Sequence, residues 1–129
     1  MNQELRKIKS FTDLEAWRKG HLLVLNIYKT TRLFPKEEQF GLTIQLRRAG
    51  VSFTSNIAEG FSRKSYKEKL QFYSMALGSL TEIQNQLLIA RDIGYLTKED
   101  FDKFAMQTVE ISKITNGLIK KSKILIHNS

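Results

Sequence analysis

Laid out at 100° per residue, the apolar positions of this chain gather into four helical stripes. In the last of them, Phe101, Phe104, Thr108, Ile111, Thr115, Leu118 and Ile119 share one face. The third is wider: Leu70, Tyr73, Leu77, Leu80, Ile83, Leu87 and Leu88, edged by Phe72 and Ala76. In the first, Leu14, Trp17, Val24, Leu25 and Tyr28 form a face that Leu23, Ile27 and Phe34 broaden, opposite Arg18, Lys19 and Lys29. The second has two apolar sides. Leu42, Leu46, Ala49, Phe53 and Ile57 lie on one, and Ile44, Val51 and Ala58 lie nearly opposite, flanked by Arg47 and Arg48.

Start and stop signals agree with this division. Thr12 to Glu15 and Ser65 to Glu68 have the spacing of a capping box, and Thr97 to Asp100 is a shorter version of it. Pro35, with Glu37 and Glu38 behind it, suits a fourth helix start, and Gly94 suits a left-handed stop. The spacing therefore predicts helices over 12–34, 36–62, 65–93 and 97–125. Period-two alternation around Ile44 and Val51 offers a strand as the alternative for the second element, with Gly41, Gly50 and Gly60 weakening a helix there. Helix is preferred because no other segment reads as a strand to pair with. The expected fold is all-α, an antiparallel up-down four-helix bundle in one domain. A helix of such a bundle normally shows the core one face, so the second side of helix 2 becomes a candidate subunit interface: Ile44, Arg47, Arg48, Val51 and Ala58.

Composition narrows the chemistry. The 129 residues include no cysteine, which removes disulfides, thiolate metal sites and cysteine nucleophiles. No apolar run is long enough to span a membrane, and Met1 to Lys9 shows no secretory pattern, so the expected location is cytoplasmic. His21 and His127 stand far apart, the first expected on the core side of helix 1 and the second in a polar tail. No metal-ligand spacing, phosphate-binding loop or catalytic triad is visible, so neither an enzyme nor a cofactor is expected.

Lys and Arg number 21 against 13 Asp and Glu, a net charge of +8. Along the chain the surplus is +5 over residues 1–36, +1 over 37–64, zero over 65–96 and +2 over 97–129. Arg6, Lys7, Lys9, Arg18, Lys19, Lys29 and Arg32 make the N-terminal part electropositive, and Lys120, Lys121 and Lys123 form a second cluster. In an up-down bundle helices 1 and 4 are neighbours, so the two clusters are expected to merge into a surface for RNA or DNA backbone. The bland alternative is a merely soluble basic exterior. Nothing in the sequence reads bases.

Several short motifs carry a resemblance to a known family. They are Phe11-Thr12-Asp13-Leu14 with Trp17, Phe34-Pro35 with Glu38 and Gly41-Leu42, and Gln45-Leu46-Arg47-Arg48-Ala49. More specific are Asn56-Ile57-Ala58-Glu59-Gly60 and Ala76-Leu77-Gly78-Ser79-Leu80 with Glu82. In this order, from Phe11 to about Ile124, they resemble the bacterial 23S rRNA intervening-sequence proteins. Phe53-Thr54 departs from the family, which often has a small aliphatic residue and a proline there. The resemblance implies a four-helix bundle assembling into a ring, typically a homopentamer. It also implies kinship with accessory proteins of diversity-generating retroelements, which bind nucleic acid and a reverse transcriptase. RNA or DNA is thereby expected as a partner; the alternative is a protein-interaction scaffold, for example for a reverse transcriptase, with no direct nucleic-acid role. The polar residues Asn56, Glu59, Ser79 and Glu82, set among small neighbours, are expected to fix helix register, with Arg47 or Arg48 paired to Glu59 or Glu82.

Overall fold

The computed structural model describes residues 7–128. It contains α1 (Glu15–Thr31), α2 (Leu42–Ser62), α3 (Tyr66–Asp92) and α4 (Lys98–Asn128), with 3-10 turns at Phe11–Asp13 and Lys36–Glu38 and no strand among the described residues. The helix reading of the second segment is thus the right one. Each helix packs on two others, α1 on α2 and α4, α3 on α2 and α4, and the diagonal pairs do not touch. This is the four-helix bundle.

The termini of the elements show which local signals acted. Ser65 caps α3 by accepting from the Glu68 amide at 3.2 Å, and Thr97 does the same for Asp100 at 3.0 Å. Gly94 sits at φ +87, with its amide on the Arg91 carbonyl and the Tyr95 amide on that of Ala90. That pair of bonds is the Schellman stop, and the positive φ is why glycine stands there. Two expected starts are displaced. The capping box belongs to Ser10 and Asp13, not Thr12 and Glu15: it closes the 3-10 turn, and α1 follows without a side-chain cap on Leu14. Pro35 opens only the 3-10 turn, after which Gly41 lets the chain change direction and α2 begins at Leu42, whose amide donates to Glu38 Oε1 at 3.2 Å. At the other end, α1 stops at Thr31 rather than 34, and α4 continues through His127 to Asn128 instead of leaving a polar tail.

The core is built from the stripes of α2 and α4 much as their spacing predicts, with Leu46, Ala49, Phe53 and Ile57 buried on α2 and Phe104, Thr108, Ile111 and Thr115 buried on α4. Thr115 satisfies its buried hydroxyl on the Ile111 carbonyl at 2.8 Å, which is how a polar residue joins an apolar stripe without cost in stranded donors. In α3 the buried side runs through Tyr73, Ala76, Leu80, Ile83 and Leu87, while Leu88 lies exposed. In α1 the face is rotated from expectation. Ala16, Gly20, Leu23, Ile27 and Thr31 are buried, whereas Leu25 and Tyr28 face outward. The reason lies across the contact: Phe53, fully buried, occupies the space that a side chain at position 20 would need. His21 turns outward as a consequence and stacks on Trp17, ring centroids 4.7 Å apart.

Candidate nucleic-acid interface

The antiparallel packing sets the levels of the four helices against one another. Gly20 opposes Phe53, Ser52 and Ser79 share a hydrogen bond of 2.8 Å, and Lys19 pairs with Glu110. On one side of this level lie residues 7–20, 54–77 and 110–128; on the other lie 21–53 and 78–109. The first group holds twelve Lys and Arg against five Asp and Glu, the second eight against seven. Among the described residues, nearly the whole positive surplus is therefore gathered at the end of the bundle that carries the start of α1, the end of α4 and the α2–α3 connection.

The expected basic residues divide accordingly. Lys120, Lys121 and Lys123 are exposed on the last turns of α4, at the positive end, with Arg18 on the first turns of α1. Arg63, Lys64 and Lys67 from the α2–α3 connection join them, residues that segment-by-segment charge does not single out. Lys29 and Arg32 do not join. They lie at the far end of α1, where Lys29 borders Asp100 and Lys103 at the start of α4, so the N-terminal cluster is divided and only its first part shares an end with Lys120, Lys121 and Lys123. Lys19 is held by Glu110 and Glu15, and its pKa is raised chiefly by the hydrogen bond to Glu110. Its charge is largely spent inside the chain. Arg6 lies outside the described residues.

Helix geometry makes the positive end prominent. At about 1.5 Å per residue, the 31 residues of α4 span ~46 Å and the 17 of α1 only ~26 Å. The last turns of α4 consequently run past the start of α1 and lie beside the first turns of α3, where Lys120, Lys121 and Lys123 are exposed. Lys69 stands apart from the exposed lysines. Its ammonium donates to the carbonyls of Gly60 (3.3 Å) and Phe61 (2.6 Å), closing the end of α2, and burial lowers its pKa.

The remaining motif residues fall on the outer groove between α2 and α3. Asn56 donates to the Ser52 carbonyl at 2.9 Å, and the Ser52–Ser79 bond continues the polar seam across to α3. Glu59 bonds Arg63 at 3.1 Å rather than Arg47 or Arg48, and the Arg63 guanidinium also lies over the Phe72 ring. Arg47 is turned toward α1, donating to Thr31 Oγ1 at 3.0 Å and stacking over Tyr28. That leaves Arg48 and Glu82 facing one groove, with no ion pair between them and no other partner among the described residues. Beside them the Gln86 side-chain oxygen is buried without a donor. Val51 is exposed on the same side of α2 while Ile44 and Ala58 are half-buried. Of the small residues, Gly60 and Ala76 do sit at helix contacts, Gly60 directly under the Tyr73 ring, but Gly78 is at the surface with nothing near it.

No group of three or more His, Asp or Glu side chains that could hold a metal occurs among the described residues. No helix is long and apolar enough to cross a membrane among them either.

The fold has a solved counterpart. A crystal structure of a protein with unknown function from the S23 ribosomal protein family of Bacteroides thetaiotaomicron VPI-5482 superposes with a TM-score of 0.75, covering 81% of this chain and 95% of that one at 23% identity. No curated protein matches. The family model of the 23S rRNA-intervening sequence protein matches residues 12–117, a span that takes in every motif from Thr12 through Glu82. The chain belongs to the 23S rRNA-intervening sequence protein family.

Proposed function

We propose that this protein is a non-catalytic, self-assembling helical bundle that binds the phosphate backbone of RNA or DNA with its positive end. The observation that carries the reading is the polarity of charge: twelve basic groups against five acidic at one end, near balance at the other. Phosphate neutralised by Lys and Arg releases condensed counterions, so such an end binds polyanions without needing to read a sequence. The family's name refers to 23S rRNA, which makes a structured RNA the first ligand to try. Fluorescence anisotropy against a structured RNA and a duplex DNA of equal length, at several salt concentrations, tests it. The expected result is a log–log salt slope of several units, roughly 0.9 per duplex phosphate contacted. Absence of binding at 50 mM salt contradicts the reading and favours a protein scaffold with incidental charge.

Self-assembly is supported by a separate observation, the uncompensated groove of Arg48, Glu82 and Gln86 on the outer side of α2 and α3. Each subunit there offers a cation, an anion and a buried acceptor lacking a donor. A second copy supplies all three complements, and the exposed Val51 beside them supplies apolar contact. Repetition around a closed ring would present several positive ends to one polyanion and raise avidity. By sedimentation velocity, Arg48→Glu and Glu82→Arg are each expected to dissociate the assembly, and the double swap to restore it. Val51→Asp is expected to dissociate it with helicity unchanged. A wild-type monomer at all concentrations, or an assembly indifferent to both swaps, overturns the assignment.

A further inference from the structure

The positive end contains a cleft of about 220 Å³ between the start of α3, the end of α4 and the segment before α1. Its walls are apolar and aromatic, drawn from Leu14, Phe61, Leu118 and Leu125 with the half-exposed ring of Tyr66 at the mouth. Two hydroxyls line it. Tyr73 and Ser122 are each only 4% exposed, and neither has a hydrogen-bond partner among the described residues. The buried hydroxyls of Thr31, Thr108 and Thr115 are satisfied on backbone carbonyls of their own helices, while that of Thr43, away from this cleft, also has no partner among the described residues. The ammonium of Lys69 is already spent on α2, but Lys121 at the rim has no partner among the described residues.

We propose that this cleft receives an unpaired nucleobase of the bound strand, with the adjoining phosphate on Lys121. The inference rests on the nucleic-acid reading above and deepens it by naming single-stranded RNA or DNA as the preferred form. The fit is chemical. A base offers a flat apolar ring for Tyr66 and Phe61 and a polar edge for the two hydroxyls. Because a hydroxyl both donates and accepts, it meets any base edge, and the site discriminates strand form without reading sequence. A base stacked and paired inside a duplex cannot enter. An anionic amphiphile is the competing occupant, since an acyl chain also suits apolar walls beside a lysine; it would cover the two hydroxyls of the cleft and offer them no partner, which is why the base is favoured.

The test uses the full chain, a single-stranded oligonucleotide carrying one 2-aminopurine, and a duplex with the same number of phosphates. Wild type is expected to bind the single strand more tightly and to change the 2-aminopurine fluorescence. Tyr66→Ala, at an exposed position, is expected to weaken single-strand binding by roughly tenfold or more while leaving duplex binding unchanged. Tyr73→Phe keeps the ring that covers Gly60 and removes only the hydroxyl, and it is expected to weaken single-strand binding by a smaller factor. Salt-dependent binding of both forms with no effect of either variant overturns the cleft assignment and leaves the electrostatic reading standing. No binding of either form overturns both. Tight binding of oleate that Tyr66→Ala abolishes, with oligonucleotide affinity untouched, overturns the nucleobase in favour of a lipid.

Discussion

Replacing Lys120, Lys121 and Lys123 together by glutamine is expected to lower affinity for a structured RNA by about two orders of magnitude at 0.1 M salt and to flatten the salt slope by ~2–3 units. These three side chains are exposed on the last turns of α4 and make no ion pair among the described residues, so removing them breaks none of the described contacts. Each lost phosphate contact removes roughly 0.9 of a unit from the slope on duplex, somewhat less on a single strand, and the affinity change follows from that slope. Lys29→Gln with Arg32→Gln is the matched control. It removes two charges from the balanced end and is expected to leave both affinity and slope unchanged. Equal loss from the two sets, measured by anisotropy across salt concentrations, would contradict the assignment of binding to one end.

The largest effect on stability is expected at Phe53. Its ring is fully buried between α1 and α2, and it lies against the backbone at Gly20, where an added Cβ would come within 2.7 Å of Phe53 Cδ2. Phe53→Ala removes a whole aromatic ring and opens a cavity at the middle of the bundle, at a cost of about 3–5 kcal/mol. Against the 5–15 kcal/mol typical of a domain, that is a large share. Thermal melts followed by circular dichroism should show Tm lowered by about 10–20 °C. Gly20→Ala approaches the same contact from the other side and is expected to cost ~1–3 kcal/mol by overpacking. Because the two positions share one space, Gly20→Ala is expected to cost less in a Phe53→Leu background than in wild type, a coupling that independent sites would not show. Simple additivity of the two changes would mean that the Gly20–Phe53 contact does not set the spacing of α1 and α2.

The bundle was legible wherever the signal was local. Ser65, Thr97 and Gly94 each act through bonds to residues three or four positions away, so their types and spacing were enough to bound α3 and begin α4. The face of α1 was not legible, for two reasons. Leu22 to Leu25 place an aliphatic residue on every side of that helix, which blurs the period, and the buried positions are small or polar: Ala16, Gly20 and Thr31. What buries Gly20 is Phe53 on another helix, information that no window of α1 contains.

The candidate site shows the same limit in electrostatic form. Residues 65–96 have no net charge along the chain, yet α3 places Lys67 and Lys69 at one end of the bundle and Glu82 and Asp92 toward the other. An antiparallel fold superposes the first turns of odd helices on the last turns of even ones. Charge counted by segment therefore averages over the very difference that matters, and the grouping of Lys120, Lys121 and Lys123 with Lys64 and Lys67 emerges only once the levels are fixed. The pairing of Glu59 with Arg63, by contrast, is a simple i,i+4 spacing on α2 and was available from the sequence. It was obscured by the more prominent arginine pair at positions 47 and 48.

The most direct test of the central claim is lysine footprinting: acetylation of the full chain with and without a saturating structured RNA, read residue by residue by mass spectrometry. One end of the bundle binding phosphate predicts protection of Lys64, Lys67, Lys120, Lys121 and Lys123, with Lys29, Lys36, Lys98 and Lys103 as reactive as in the free protein. Protection of the second set, or uniform protection of both, would contradict it.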